Sequence, residues 1–195
     1  MRSVDGFLAD ANDQVGPLFD WCVNGDVEII DGGEIKVSQA SADYVMTMWA
    51  GIGSMVIGRH LFDMINGWEG VPPAGDHVIV VSHRPRPDDW HPTGLHSVHP
   101  RERQASYYFI SDVAEAIAKA RELAGERAVA VAAGDVGGQA FALGLVNEVA
   151  MDVAPVVFGS GKRYFGSTDA QHLLEDPHTV IQGDRVLHLR YRVRR

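Results

Sequence analysis

Short apolar runs alternate along the chain with polar, glycine-rich or proline-rich stretches. Runs of this length that are rich in strand-forming side chains and bounded by turn residues predict buried strands. They cover residues 2–8, 54–58, 77–82, 107–110, 128–132 and 145–157. The pattern therefore predicts a sheet built from many short strands.

Helix signals occupy several stretches between these runs. Gln39 to Ala50 is predicted to be a helix, with Ser41 as its cap and Asp43 in its first turn. Asp112 and Glu115 have the spacing of a capping box at the start of another helix. The predicted helices cover residues 39–50, 61–65, 112–124 and a segment that ends near Gly144.

The C-terminal segment predicts a β-hairpin. Thr179 to Gln182 and Arg185 to Val193 flank a Gly183-Asp184 turn, and the second arm alternates imperfectly, as expected of a sheet edge. Strands that alternate with helices indicate an α/β fold, and the hairpin makes its sheet mixed. A chain of 195 residues, 46% of them apolar, predicts one domain over residues 1–195.

The net charge limits the classes of binding partner, and the cysteine content indicates the cellular compartment. The formal net charge of −9 argues against a nucleic-acid or anionic-membrane partner, because both bind basic surfaces. Cys22 is the only cysteine, which excludes an intrachain disulfide and suits a reducing cytoplasm. No apolar run approaches the ~20 residues that span a bilayer, and the start lacks a signal-peptide pattern. We therefore expect a cytoplasmic protein that acts on a small molecule.

Gly58, Arg59 and His60 follow a predicted buried strand and form the first candidate site. Ligands of α/β proteins bind beyond the carboxyl ends of strands, and two phosphate-seeking side chains lie there. The segment predicts a phosphate-bearing cofactor. The alternative is an exposed strand end with two solvated charges.

A glycine-rich turn, Gly134 to Gly138, follows another predicted strand. Glycines let the main chain approach a diphosphate, and free N–H groups at the start of the next helix bind it. The pattern is not G-x-G-x-x-G, so the sequence does not support a Rossmann dinucleotide fold. The alternative interpretation is an ordinary turn between a strand and a helix.

Five motifs stand in one order along the chain: Ser3 to Ala9, Val56 to Arg59, Val80 to His83, Ala133 to Gly138 and Pro155 to Arg163. This order resembles the dihydrofolate-reductase-like superfamily, in the branch with the reductase domain of bacterial riboflavin biosynthesis. The resemblance covers nearly the whole chain. It implies a mixed, mostly parallel sheet of about eight strands flanked by helices. It also implies NADPH as hydride donor and a homodimer.

The resemblance assigns cofactor-binding roles to specific residues. Ser82, His83 and Arg84 would lie where the adenosine 2′-phosphate binds, with Arg59 opposite them. The diphosphate would lie at the glycine turn, which consists of Gly134, Asp135, Val136, Gly137 and Gly138.

Three residues are candidates on the substrate side. Asp43 lies close to where dihydrofolate reductase carries its substrate-binding carboxylate, and it could assist protonation at a C=N bond. The alternative is a first-turn aspartate that complements the helix dipole. Asp5, in an Asp-Gly turn, and Trp21, after a polar loop, could contact substrate or could be a turn residue and a core residue.

The activity implied is an NADPH-dependent oxidoreductase that transfers a hydride to a C=N or C=O bond of a small heterocycle. The substrates implied are 5-amino-6-(5-phosphoribosylamino)uracil, dihydrofolate or a specialised metabolite. The bifunctional riboflavin enzyme adds a zinc deaminase domain, whose His/Cys ligands this chain lacks. Tyr44-Val45 stands where the folate site usually has Trp-Phe, so weak or no dihydrofolate turnover is expected.

A non-catalytic dimeric member of the fold, with weak or no cofactor binding, is the alternative class. Only Met1 and Arg2 precede the first motif, where the family's strand usually extends further. Ala133 stands where the family usually has a glycine, and its methyl group could crowd the cofactor.

Other chemistries have weaker signals. His91, His96 and His99 lie in a proline-rich loop without a cysteine or carboxylate at matched spacing, so no metal site is expected. Gly159 to Lys162 lacks the full P-loop pattern, so nucleotide hydrolysis is not expected. The sequence has no G-x-S-x-G motif, which argues against a serine hydrolase.

Overall fold

The computed structural model describes residues 1–30, 35–94 and 104–194. These residues pack into two compact units. Unit 1 contains residues 1–29, 35–45 and 133–194, and unit 2 contains residues 30, 46–94 and 104–132. The single domain over residues 1–195 stays a prediction.

Short strands and helices alternate through most of the described sequence. The strands are β1 (Arg2–Ser3), β2 (Phe7–Ala9), β3 (Val27–Glu28), β4 (Lys36–Val37), β5 (Ile52–Gly58), β6 (His77–Val81), β7 (Ser106–Ile110), β8 (Ala128–Val131), β9 (Glu148–Ala154), β10 (Lys162–Arg163), β11 (Thr179–Gly183) and β12 (Val186–Arg192). The α-helices are α1 (Gln39–Ala50), α2 (Arg59–Met64), α3 (Val113–Ala124) and α4 (Asp135–Ala142). Two 3-10 helices cover Gly16–Cys22 and Asn66–Gly70.

Unit 2 is built on a parallel four-stranded sheet in the order β7-β6-β5-β8. β5 lies inside this sheet, and Val56 and Ile57, on its two faces, are fully buried. Strands buried on both faces have continuous apolar runs, which explains their clear signal in the sequence. Helix α3 packs across β5 and β6, and Gly53 permits the close approach. A Cβ atom at Gly53 would lie only 2.8 Å from the Cα of Ala124.

Unit 1 contains a mixed four-stranded sheet in the order β1-β9-β12-β11. β1 runs parallel to β9, while β9 pairs antiparallel with β12 and β12 with β11. Phe141 of α4 packs with Val149 and Met151 of β9 in the core of this unit. Unit 1 also contains two short antiparallel ribbons, β2 with β10 and β3 with β4.

The predicted α/β class, the parallel sheet flanked by helices and the C-terminal hairpin are confirmed. The predicted sheet of about eight strands is not confirmed in size, because the described strands pair as two four-stranded sheets and two two-stranded ribbons. The prediction that the last arm lies at a sheet edge is wrong. β12 pairs with β9 on one side and β11 on the other, so its imperfect alternation has another cause.

Two local predictions for α1 are also wrong, although its bounds are confirmed. The helix begins at Gln39, so the residue that precedes it is Ser38, whose Oγ accepts from the Ser41 backbone N–H at 3.4 Å. Asp43 consequently lies beyond the first turn, where a carboxylate complements the helix dipole only weakly.

The described part of the chain has no helix with the length and hydropathy needed to cross a bilayer.

Candidate functional site

In unit 2, the predicted cofactor residues follow two neighbouring parallel strands. Gly58 ends β5 and pairs in register with Val81, the last residue of β6. Arg59 and Ser82 come next in sequence, so both lie at the carboxyl edge of the sheet. This edge is where α/β proteins bind ligands.

Arg59 is held by three hydrogen bonds at this edge. Its Nε donates to Oδ1 of Asp63 at 2.6 Å, and its Nη1 donates to the carbonyl of Pro85 at 3.0 Å. A longer contact of 3.4 Å joins Nη1 to Oγ of Ser82. Arg59 and Ser82 therefore lie together, as the resemblance implied, and their role in cofactor binding stays a prediction.

The side chain of Arg59 is also packed between rings. Its guanidinium carbon lies 5.7 Å from the ring centroid of Phe62 and 5.9 Å from that of Phe109. The side chain is only 15% exposed. Ring contacts and hydrogen bonds together fix the position of the charge before any ligand arrives.

A second guanidinium, that of Arg84, lies beside Arg59 because both arginines bind Asp63. Its Nη2 donates to Oδ2 of Asp63 at 3.0 Å, so one carboxylate bridges two arginines. The Ser82 hydroxyl accepts from the Arg84 backbone N–H at 3.0 Å and donates to the Arg84 carbonyl at 2.7 Å, which shapes the turn. We call Arg59, Asp63, Ser82 and Arg84 the arginine cluster.

The other predicted residues of this region have different surroundings. His60 and His83 are both exposed, and neither is part of the arginine cluster. Gly58 has a φ of −78°, a conformation that any residue adopts, so the backbone there does not depend on a glycine.

In unit 1, the glycine turn has a shorter extent than predicted. Gly134 alone precedes α4 and has a φ of +95°, which favours glycine. Asp135, Val136, Gly137 and Gly138 lie inside the helix, so the prediction that they form a turn is wrong. The first N–H groups of α4 have no partner within the helix and can donate to an anion.

Gly138 has a packing role in the same unit. A Cβ atom there would lie 2.2 Å from the carbonyl oxygen of Phe165, so only glycine fits. The Gly138 N–H donates to the Gly134 carbonyl, and its own carbonyl accepts from the Thr168 hydroxyl at 3.3 Å. Close packing against Phe165 therefore accounts for a glycine at this position without a ligand.

Asp5 ties two loops of unit 1 together. The Ser3 hydroxyl donates to it at 2.6 Å, and the backbone N–H groups of Gly159 and Phe158 donate at 2.7 and 3.3 Å. The Ser3 hydrogen bond, with those from the two N–H groups, holds the pKa of Asp5 below its ordinary value. These contacts are typical of a turn residue, and a role in substrate binding stays a prediction.

The remaining substrate-side candidates differ in burial. Asp43 is exposed on α1 and accepts a hydrogen bond from the side-chain amide of Gln39 at 2.7 Å. Trp21 is a core residue, 5% exposed, whose ring meets the His188 imidazole edge-on at 5.2 Å. Asp5, Trp21 and Asp43 all belong to unit 1.

A buried polar network in unit 1 was not foreseen from the sequence. His188, on β12, is fully buried and lies 2.7 Å from Oδ1 of Asp152 through Nδ1. Its Nε2 lies 2.9 Å from Oγ of Ser41. Since an ionised carboxylate only accepts, Nδ1 carries the proton, and Nε2 can accept from the serine. The order of contacts is that of a serine-hydrolase triad, yet Ser41 is 1% exposed, so the network links α1 to the sheet.

Burial and nearby charges in this network shift the pKa values of Asp152 and Tyr44. Burial raises the pKa of Asp152, but the hydrogen bond from His188 and the positive charges nearby together outweigh it, so the pKa lies below its ordinary value. Burial, and then the charge of Asp152, raise the pKa of Tyr44 to about 12. The Tyr44 ring lies 4.6 Å from the imidazole of His188, so a neutral phenol covers the network.

The described residues contain no group of three or more histidine, cysteine or carboxylate side chains that could hold a metal ion. His91 is exposed, whereas His96 and His99 lie outside the described residues.

Comparison with known proteins gives the fold. No family model matches the sequence, and a search of curated proteins gave no match. The whole chain superposes on 96% of a protein from Shewanella sp. PV-4 assigned to riboflavin biosynthesis, with a TM-score of 0.67 and 16% identity. It also covers 89% of a pyrimidine reductase-like protein from Corynebacterium diphtheriae, with a TM-score of 0.53 and 18% identity.

A third match is longer than this chain. It is the diaminohydroxyphosphoribosylaminopyrimidine deaminase/5-amino-6-(5-phosphoribosylamino)uracil reductase from Thermotoga maritima, with a TM-score of 0.61 and 9% identity. The match covers 99% of this chain but 54% of that protein. At these identities the likeness shows the fold. The fold that the resemblance implied, which these riboflavin-biosynthesis structures share, is therefore confirmed.

Proposed function

We propose that the chain is an NADPH-dependent reductase that hydrogenates a C=N or C=O bond of a small heterocyclic substrate. The observation that carries this proposal is the arginine cluster at the carboxyl ends of β5 and β6. Guanidinium groups beside a hydroxyl at such an edge suit a phosphate monoester. This is the feature by which NADPH differs from NADH.

The arginine cluster fits an adenosine 2′-phosphate in charge and in donor chemistry. Arg59 offers a fixed guanidinium on a side chain that is 15% exposed, and Arg84 offers a second on a side chain that is 66% exposed. Ser82 can turn its hydroxyl from the Arg84 carbonyl to a phosphate oxygen. NADPH, when bound, supplies the hydride.

The substrate is proposed to be a pyrimidine. The Thermotoga match is named a 5-amino-6-(5-phosphoribosylamino)uracil reductase and the Corynebacterium match is pyrimidine reductase-like. Asp43 lies exposed on α1 and accepts from Gln39 through Oδ1, and its carboxylate could also accept from a ring N–H group.

The test combines binding and turnover. NADPH fluorescence is titrated with the protein, and NADPH oxidation is then followed with the aminopyrimidine and with dihydrofolate. Micromolar binding with turnover of the pyrimidine supports the proposal, and no binding up to millimolar concentration overturns it. Brisk dihydrofolate reduction would show that the substrate is wrong but the cofactor is right.

A non-catalytic member of the fold is the second candidate, and one observation favours it. Asp63 already occupies both guanidinium groups of the arginine cluster. A protein that binds neither NADPH nor NADH, yet is folded and dimeric, would support this candidate.

The homodimer, the cytoplasmic location and a small-molecule partner also stay proposals. Sedimentation velocity tests the first of them directly: a mass of one chain would contradict it.

A further inference from the structure

Asp63 stands at the centre of the arginine cluster as an anion built into the chain. It lies one helical turn after Arg59 on α2, and each of its oxygens takes one arginine. The two arginines and one carboxylate leave the cluster with a single net positive charge. A phosphate that binds there therefore encounters the Asp63 carboxylate, which already accepts hydrogen bonds from Arg59 and Arg84.

The three charged partners differ in how easily they can move. Arg59 is 15% exposed and is also held by Pro85 and Ser82, so it stays in place when Asp63 is lost. Asp63 is 40% exposed and Arg84 is 66% exposed, so both can rearrange in solvent. The carboxylate is the partner that a ligand can displace.

We infer that Asp63 competes with the phosphate for Arg59 and Arg84, and so sets how strongly the protein prefers a phosphorylated nucleotide. This inference rests on the proposed function, which places the adenosine 2′-phosphate at these arginines. A carboxylate and a phosphate oxygen are both acceptors for the same guanidinium N–H groups, and the two anions repel each other. NADH lacks the phosphate, so its affinity is independent of this competition.

The test replaces Asp63 by its isosteric amide. Asp63→Asn and the wild type are titrated with 2′,5′-ADP and with NADH by calorimetry at low ionic strength, where exposed charges are least screened. We expect Asp63→Asn to bind 2′,5′-ADP about tenfold more tightly and NADH within about twofold of the wild type. Asp88→Asn is the matched control, since Asp88 is an exposed carboxylate of the same unit outside the cluster. It removes the same charge and should leave both affinities unchanged.

The outcomes separate the inference from the proposed function. Equal or weaker binding of 2′,5′-ADP by Asp63→Asn overturns the inference, while NADPH binding by the wild type would leave the proposed function standing. Binding by Asp63→Asn alone supports the inference and favours the non-catalytic candidate. No binding by either protein overturns both. Asp63→Ser, a smaller substitution on the same exposed face, gives the same answer if the amide variant folds poorly.

Discussion

The two compact units both gather polar side chains, but under opposite conditions. In unit 2, Arg84 and Asp63 meet at an exposed strand end, where water can replace either partner. In unit 1, His188 is fully buried and each of its ring nitrogens has a partner, Asp152 or Ser41. An exposed ion pair contributes little to folding, whereas breaking a buried pair is costly. We therefore expect substitutions in the buried network of unit 1 to change stability, and those in the arginine cluster of unit 2 to change binding.

The largest expected effect is that of His188→Ala. It removes both hydrogen bonds, leaves the Asp152 carboxylate without its donor and opens a cavity beneath Tyr44. The free energy of unfolding in urea should fall by about 3–5 kcal/mol. His83→Ala, at an exposed histidine of unit 2, should change it by less than about 0.5 kcal/mol. Similar values for the two variants would contradict the contrast between the units.

Asp152→Asn should reduce stability less, and in a pH-dependent way. The folded pKa of Asp152 lies below the value of about 3.9 for an unfolded chain, so the charged carboxylate stabilises the fold at neutral pH. That contribution is present above the unfolded pKa and is lost as the pH falls through the folded pKa. At pH 7 we expect a loss of about 1.5–3 kcal/mol in the variant.

Urea unfolding of Asp152→Asn at a series of pH values between neutral and strongly acid checks the sign. The wild type should lose stability towards acid more steeply than the variant. Asp20→Asn, which replaces an exposed carboxylate of the same unit, should follow the wild type. Parallel curves for the wild type and Asp152→Asn would mean that the carboxylate is not favoured by folding.

Arg84→Ala should change binding and leave stability nearly intact. A charge-assisted hydrogen bond contributes about 1.5–3 kcal/mol, so NADPH affinity should fall about tenfold or more. NADH affinity should stay within about twofold, because NADH has no 2′-phosphate. Arg86→Ala is the control: Arg86 stacks on Trp90 at 4.8 Å and lies outside the arginine cluster. An equal loss for both variants would point to net charge and not to the cluster.

The smallest effect is expected for Asp43→Asn. Asp43 is exposed and bonded to Gln39, so thermal unfolding should show a change of less than about 0.5 kcal/mol. Neither the wild type nor the variant should reduce dihydrofolate at a useful rate. Dihydrofolate turnover that disappears in Asp43→Asn would make this residue catalytic.

Elements with local signals could be predicted from the sequence. Asp112 caps α3 by accepting from the Glu115 N–H at 2.9 Å. The two residues are only three positions apart, so the start of this helix could be predicted from a short stretch of sequence. The apolar runs of β5 and β6 are likewise local. The hairpin was predicted too, but its turn is Asp184-Arg185 and not Gly183-Asp184, because Gly183 still pairs with Val186. The placement of Arg59 opposite Ser82 was implied by the family resemblance, and the parallel pairing of β5 with β6 explains it.

Features that depend on distant residues could not be predicted. Serine is a residue type that often caps helices, but the Ser41 hydroxyl is hydrogen-bonded to His188, 147 residues later in the chain. No local pattern in the sequence indicates this pairing. The interior position of β12 depends on β9 and β11, and a strand's own alternation does not specify its neighbours. Asp63 was missed although its i,i+4 spacing from Arg59 is visible in the sequence.

The measurement that tests the central claim most directly is the ratio of NADPH to NADH affinity in the wild-type protein, from fluorescence titrations in one buffer. If the arginine cluster binds the 2′-phosphate, NADPH should bind at least about tenfold more tightly than NADH, and added salt should reduce the ratio. Equal affinities at every salt concentration would contradict the assignment of the cluster.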